Sequence, residues 1–176
     1  FADPELPDDV RRKLRLLANV IGSAFRHEMF CEPVVSRSKT FIHYLHVEMS
    51  GLAREKFRVF YLDSANHLLR DQIMWEGSVN CVQVHPREIV RTALETGATA
   101  LILAHNHPSG RCYASREDIA ITSQIVAACK LMDIAVHDHL IVGRNNVFSM
   151  RQALGESFGK PGQNEAAKQT PQNHRS

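Results

Sequence analysis

No two of the four cysteines, at positions 31, 81, 112 and 129, stand in a CxxC spacing. The segments between them read as ordinary core elements, which argues against a disulfide framework. A reduced chain, and with it a cytoplasmic one, is the expectation. No uninterrupted apolar run reaches the ~20 residues that a membrane helix needs, so no membrane partner is expected. The opening FADPELPDD is acidic and lacks the apolar stretch of a signal peptide. It begins on Phe1 instead of Met, so the numbering is expected to start inside a longer protein. The phosphate-cradling loops GxGxxG and GxxxxGKS/T are missing. So is the HxE plus PCxxC pattern of zinc nucleoside deaminases. Charge of one sign is scarce as well. The net charge is +2 with histidines neutral, short of the clustered basic face usual in nucleic-acid binding.

What is present is ordinary in bulk. Apolar residues make up 44% and charged residues 23% of 176 residues, enough for one domain with a sizeable core. No internal repeat is visible. Val10, Leu14, Leu17, Ala18, Ile21 and Phe25 recur at helical spacing and predict a helix over 8–30. Arg11, Arg12, Lys13 and Arg15 take much of its other face, which reads first as a solvated surface and second as a nucleic-acid contact. A second helix is predicted over 38–50, with Phe41, Leu45 and Met49 on one side and Gly51 as its stop. Residues 55–62 and 67–75 read as a hairpin around the turn residues 63–66, and 79–84 as a shorter strand. Pro86 opens a helix that Gly97 closes. The nearly all-apolar ATALILA at 98–104 suits a strand buried on both faces. A long helix over 115–132 follows, then a strand over 134–142, a turn at 143–146 and a short strand at 147–149. From Gly155 the chain turns polar and rich in Gly, Pro, Gln and Asn, so 155–176 is expected to be a disordered tail. This order predicts an α/β fold, a mixed β-sheet packed with helices.

Where the apolar strand ends, the chain reads HNHPSGRCYASRED over 105–118. His105 and His107 are two positions apart, so continued strand geometry turns both imidazoles the same way. Pro108, Ser109 and Gly110 turn the chain away. Ser115 fits a helix N-cap and Asp118 falls at N3. The positive end of the helix favours an ionised Asp118, the form a metal needs. Ser115 and Asp118 alone read as a cap. The histidine pair upstream adds the reading of metal ligands, and the two readings are compatible. Three protein ligands leave a fourth position open on a tetrahedral zinc, the mark of a catalytic site.

The pattern His105-x-His107-Pro108 followed by Ser115-x-x-Asp118 resembles the JAMM (MPN-plus) metallopeptidase signature. The segments EKFRVFYLD, HPREIVRTALETGATALILAHNHPSG, SREDIAIT and DHLIVG resemble the RadC family within it. The resemblance implies a cytidine-deaminase-like JAMM/MPN fold over 38–154, preceded by an N-terminal helical segment, 1–37. It implies Zn2+ held by His105, His107 and Asp118, with Ser115 near the substrate oxygen. It also implies a metallopeptidase or isopeptidase-like hydrolase acting on a peptide or protein. Two other functions stay open: a DNA-associated protein of repair or mobile elements, and a non-catalytic MPN interaction module. RadC-like chains usually carry acidic and proline-rich residues where this one reads SGRCYAS. Cys112 there reads first as a loop cysteine that faces solvent or packs weakly, and second as a thiolate that can fill the open metal position or be oxidised.

A zinc hydrolase needs a general base, and Glu48, Glu55, Glu76, Glu88 and Glu95 are available. Spacing does not choose among them. The JAMM pattern places its glutamate at the start of an early strand, the place of Glu55. Glu55 is then expected to activate water and Ser115 to stabilise the oxyanion. His137-Asp138-His139 repeats the HxH spacing inside a strand, without a proline turn or a downstream carboxylate. It reads as a look-alike, with His139 or Asp138 as support behind the ligands.

Overall fold

Local chemistry decides where each element begins and ends. The computed structural model describes residues 6–34, 38–77 and 84–160, and for 28–31 the backbone alone. Over these residues the chain runs α1 (Asp8–Cys31), α2 (Lys39–Met49), β1 (Glu55–Leu62), β2 (Leu68–Gly77), α3 (Pro86–Thr96), β3 (Ala100–Asn106), α4 (Arg116–Lys130), β4 (Ala135–Val142), β5 (Val147–Ser149) and α5 (Met150–Leu154). The Ser38 side chain caps α2 by accepting from the Phe41 amide. Pro86 opens α3, and Gly97 closes it at φ 71°, a conformation glycine adopts without steric cost. Asp63 Oδ1 accepts from the amides of Ala65 and His67, each at 2.8 Å, and so builds the β1–β2 turn.

The strands form one mixed sheet in the order β2-β1-β3-β4-β5. β1 is antiparallel to β2 and β3, β3 and β4 are parallel, and β5 is antiparallel to β4. A parallel pair needs a crossover, and α4 supplies it between β3 and β4. The period of two then sorts side chains between two helical layers. Phe57, Val59, Tyr61, Leu101 and Leu103 pack with Ile89 and Ala93 of α3, Ile119 and Ile125 of α4, and Met150 of α5. Phe60, Leu62, Ile102, Ala104 and Leu140 pack with Phe41, Tyr44, Leu45 and Met49 of α2. β3 is covered on both sides, and all its residues are buried, as its apolar run predicts. The expected mixed α/β architecture is what the chain adopts.

One irregularity matters for the site. Leu101 pairs with Val136, but Ile102 pairs with Asp138, so His137 is an extra residue in β4. Its Nε2 lies 2.7 Å from Asn66 Oδ1. Beyond this bulge, Leu103 lies beside His139 and His105 beside Ile141.

Three expectations need adjustment. The strand expected over 79–84 falls outside the described residues except for Val84, which is buried and belongs to no strand. The apolar stripe of α1 is only partly used. Ala18 is buried and Phe25 packs on the α2 layer, while Leu17 and Ile21 stay exposed. The polar tail expected from 155 begins with structure. Gly155–Ser157 makes a 3-10 turn and Phe158 is buried, with the Arg151 guanidinium 4.2 Å from its ring centre. Residues 161–176 lie outside the described part. Among the described residues no helix is long and apolar enough to cross a membrane.

Candidate metal centre

The C-terminal ends of the parallel strands β3 and β4 meet the loop 107–114, the place where open α/β sheets commonly bind ligands. The His107 amide donates to the Val142 carbonyl at 3.0 Å, and the Gly110 amide to the His107 carbonyl at 2.9 Å. Gly110 takes φ 78°. At Gly143 a Cβ would stand 2.8 Å from Cys112 Cβ and 2.9 Å from the Gly110 carbonyl oxygen. Glycine at both positions lets the loop close onto the β4–β5 turn.

β3 delivers His105, the loop delivers His107, and the first turn of α4 delivers Asp118. Ser115 caps that helix: its Oγ accepts from the Asp118 amide at 3.1 Å. Asp118 Oδ2 accepts in return from the Ser115 amide at 2.7 Å and from its hydroxyl at 2.6 Å. The reciprocal cap aims the carboxylate at the histidines. Oδ1 is 3.1 Å from His105 Nε2 and Oδ2 is 3.5 Å from His107 Nε2. The two Nε2 atoms are 2.8 Å apart. One donor atom from each of His105, His107 and Asp118 lies within 4.8 Å of the others, and the three can hold a metal ion.

The electrostatics follow from burial and from these neighbours. Burial pushes the Asp118 carboxyl up, but His105, His107 and Ser115 outweigh it and hold it well below the usual carboxylate range. Burial pulls His107 down, yet Asp118, Glu55 and the Arg111 backbone together raise it above its ordinary value. His139 is pushed well below its ordinary value by complete burial and then by His105.

Glu55 is the first residue of β1, only 8% exposed, and its charge reaches His107. The other glutamates weighed for the base are engaged elsewhere. Glu48 pairs with Arg58 and Arg26, Glu76 with Lys56, and Glu88 and Glu95 with Arg91. Asn106, the residue between the two histidines, holds the backbone around Glu55. Its Oδ1 accepts from the Lys56 amide at 2.8 Å and its Nδ2 donates to the Arg54 carbonyl at 3.0 Å. The β1–β3 ladder stops at the pair Phe57 and His105, so this amide continues it in side-chain form. Spacing says nothing of Asn106. The available signal is that an amide at a strand end carries a donor and an acceptor, and so can replace a missing backbone partner.

His139 lies behind the first ligand, its Nε2 2.8 Å from His105 Nδ1. That contact matches the support expected of it. His137 turns away to Asn66, and Asp138 serves a different part of the fold. Asp138 accepts from the Ser149 hydroxyl at 2.6 Å and the Arg151 amide at 3.0 Å, tying β5 and α5 to β4. Cys112 follows the first of its two readings and stands apart from the ligands. Its Sγ lies 3.2 Å from the Asn146 carbonyl oxygen and 3.4 Å from that of Ile141, and burial pushes the thiol up. It is not part of the ligand cluster.

A mixed α/β sheet with a two-histidine, one-carboxylate cluster at the end of its central strand defines a JAB-type domain with a candidate metal centre. The chain matches the RadC-like JAB domain over residues 35–155, and it belongs to the RadC family. It is 48% identical over 109 residues to UPF0758 protein YeeS of Escherichia coli (strain K12), a match covering 62% of this chain and 74% of the relative. To UPF0758 protein YkfG of the same organism it is 41% identical over 140 residues, covering 78% of this chain and 87% of the relative. Neither relative's name states an activity.

Proposed function

We propose that this chain is a zinc-dependent metallohydrolase that cleaves peptide or isopeptide bonds. The observation that carries the reading is the convergence of His105, His107 and Asp118 within 4.8 Å at a buried strand end. Two imidazoles and a carboxylate suit Zn2+, and three protein ligands leave room for water and substrate. When bound, zinc supplies Lewis acidity, polarising a carbonyl and lowering the pKa of water to about 7. The protein's own groups do the rest. The ionised Asp118 and the two imidazoles hold the ion. Glu55, with its backbone clamped by Asn106, takes a proton from the attacking water and returns it to the leaving amine. The Ser115 hydroxyl, which donates to Asp118 Oδ2, would turn from that bond to donate to the substrate oxygen.

The other functions have less support. Two of the four cations in the basic run of α1 already have partners, Arg11 with Asp8 and Lys13 with Asp9, which leaves little for DNA. A non-catalytic module has no use for a carboxylate beside a full ligand set. The free thiols of Cys112 and Cys129 support a reducing, cytoplasmic location as part of the same proposal.

Metal analysis of the purified chain tests the reading. Stoichiometric zinc is expected in the wild type and none in His107→Ala, and equal contents would remove the centre. With zinc bound, the wild type should cleave members of a library of internally quenched peptides. Glu55→Gln should keep zinc and lose that cleavage. Full activity in Glu55→Gln would disqualify Glu55 as the base.

A further inference from the structure

Three short contacts run in series behind the ligands. Thr122 Oγ1 lies 2.5 Å from the Asp118 carbonyl oxygen and 2.6 Å from His139 Nδ1, and His139 Nε2 lies 2.8 Å from His105 Nδ1. Counting protons leaves one arrangement. A carbonyl cannot donate, so the contact with Asp118 uses the single hydroxyl proton of Thr122. Thr122 Oγ1 therefore accepts on its other side, and His139 Nδ1 carries the hydrogen. His139 has no solvent exposure; its ring meets Thr122, His105 and the Phe57 ring at 5.2 Å, and Asp118 and His107 lie near enough to act on it. The 2.8 Å contact between His139 Nε2 and His105 Nδ1 has room for one hydrogen, and a ring that already carries its hydrogen on Nδ1 offers Nε2 as a lone pair. His105 Nδ1 must then donate to that lone pair. This leaves His105 Nε2, the atom facing His107 Nε2 and Asp118 Oδ1, as the coordinating nitrogen.

We propose that Thr122 and His139 form a tautomer relay that keeps the proton of His105 on Nδ1 and its Nε2 free for the metal. The relay starts one helical turn beyond Asp118. A single turn of α4 thus supplies one ligand and, through β4, sets the tautomer of another. Both are positioning residues. Without the hydroxyl at 122, an Nδ1–H on His139 would point at a methyl group. The His139 proton would move to Nε2 and donate to His105 Nδ1. The His105 proton would then sit on Nε2, where the metal has to bind, each ring still carrying one proton. The consequence for the metal rests on the proposed function above, whereas the tautomers themselves do not.

The test begins with the metal-free chain labelled with 15N-histidine and read by long-range 1H–15N correlation. His139 should carry its proton on Nδ1, with Nε2 bare, and His105 should carry a proton on Nδ1. A proton on His139 Nε2 in the wild type would overturn the relay whether or not the chain binds zinc. Thr122→Val, similar in shape, should move the His139 proton to Nε2. It should also weaken zinc binding by roughly 10–100-fold, measured against a chromophoric chelator, and Thr122→Ser should restore both. A folded Thr122→Val with wild-type tautomers and wild-type zinc affinity would overturn the proposal. Should Thr122→Val not fold, the wild-type spectrum decides. A chain that binds no zinc but shows these tautomers would remove the proposed function and leave the relay standing.

Discussion

Two buried polar clusters stand on opposite faces of β1 and β3, and they are completed in opposite ways. On the α2 side, Arg58 is 5% exposed and donates to Asp71 Oδ1 at 3.1 Å, Glu48 Oε2 at 3.2 Å and the Tyr44 hydroxyl at 2.7 Å. The Tyr44 hydroxyl donates on to Asp71 Oδ2 at 2.6 Å. Donors meet acceptors and charge meets opposite charge. On the α4 side, His105, His107 and Asp118 turn ligand atoms toward one another, and the nearest partners of the Asp118 carboxylate there are the Nε2 atoms of those two histidines. The first cluster closes on itself, while the second can be closed by an added cation. Burial of polar groups therefore does not mark a site by itself; a surplus of lone pairs does.

The comparison can be broken from either side. The largest effect is expected from Arg58→Ala, which removes the buried guanidinium from Asp71 and Glu48, leaves them only the more exposed Arg26, and should cost about 3–5 kcal/mol in urea denaturation. Zinc content should stay the same, and a cost below about 1 kcal/mol would mean the first cluster is not closed by Arg58. Next comes the metal. Zinc at about 100 times its Kd should stabilise the wild type by about 2.7 kcal/mol and His107→Ala not at all. Equal gains in a thermal melt would deny the second cluster its surplus. Asn106→Ala strips partners from the Lys56 amide and the Arg54 carbonyl and should cost about 1–3 kcal/mol. It should slow hydrolysis with zinc retained. Loss of zinc instead would tie Asn106 to the ligands rather than to Glu55. The smallest change in stability, within about 0.5 kcal/mol, is expected for Glu55→Gln. A larger shift would show that its carboxylate serves the fold.

What was legible in the sequence was local. His105, His107, Ser115 and Asp118 come from one short stretch, and a cap and a strand end are both written in neighbouring residues. Asn106 against Lys56 and His105 against His139 join residues 50 and 34 positions apart. Those pairings depend on register, which spacing along the chain does not carry. The two HxH motifs make the point together. They share a spacing, yet in one the middle residue clamps a neighbouring strand and in the other the first residue leaves the ladder for Asn66. Periodicity also reveals a helix face without revealing what covers it, which is why Leu17 and Ile21 read as core and stand exposed.

The extra residue at His137 decides which side chain stands behind His105. It shifts the in–out frame of β4 by one, so that Val136 before it and His139 and Ile141 after it share a face. An unshifted strand would place Asp138 beside Leu103 and turn His139 toward the α2 layer. A carboxylate would then stand behind His105, and with Asp118 it would cancel the charge of a divalent ion. With an imidazole there instead, Asp118 would be the one anion among the ligands of an ion held at the site. The strand's length, as much as the identity of its residues, decides which group an ion at that site would meet behind its first ligand.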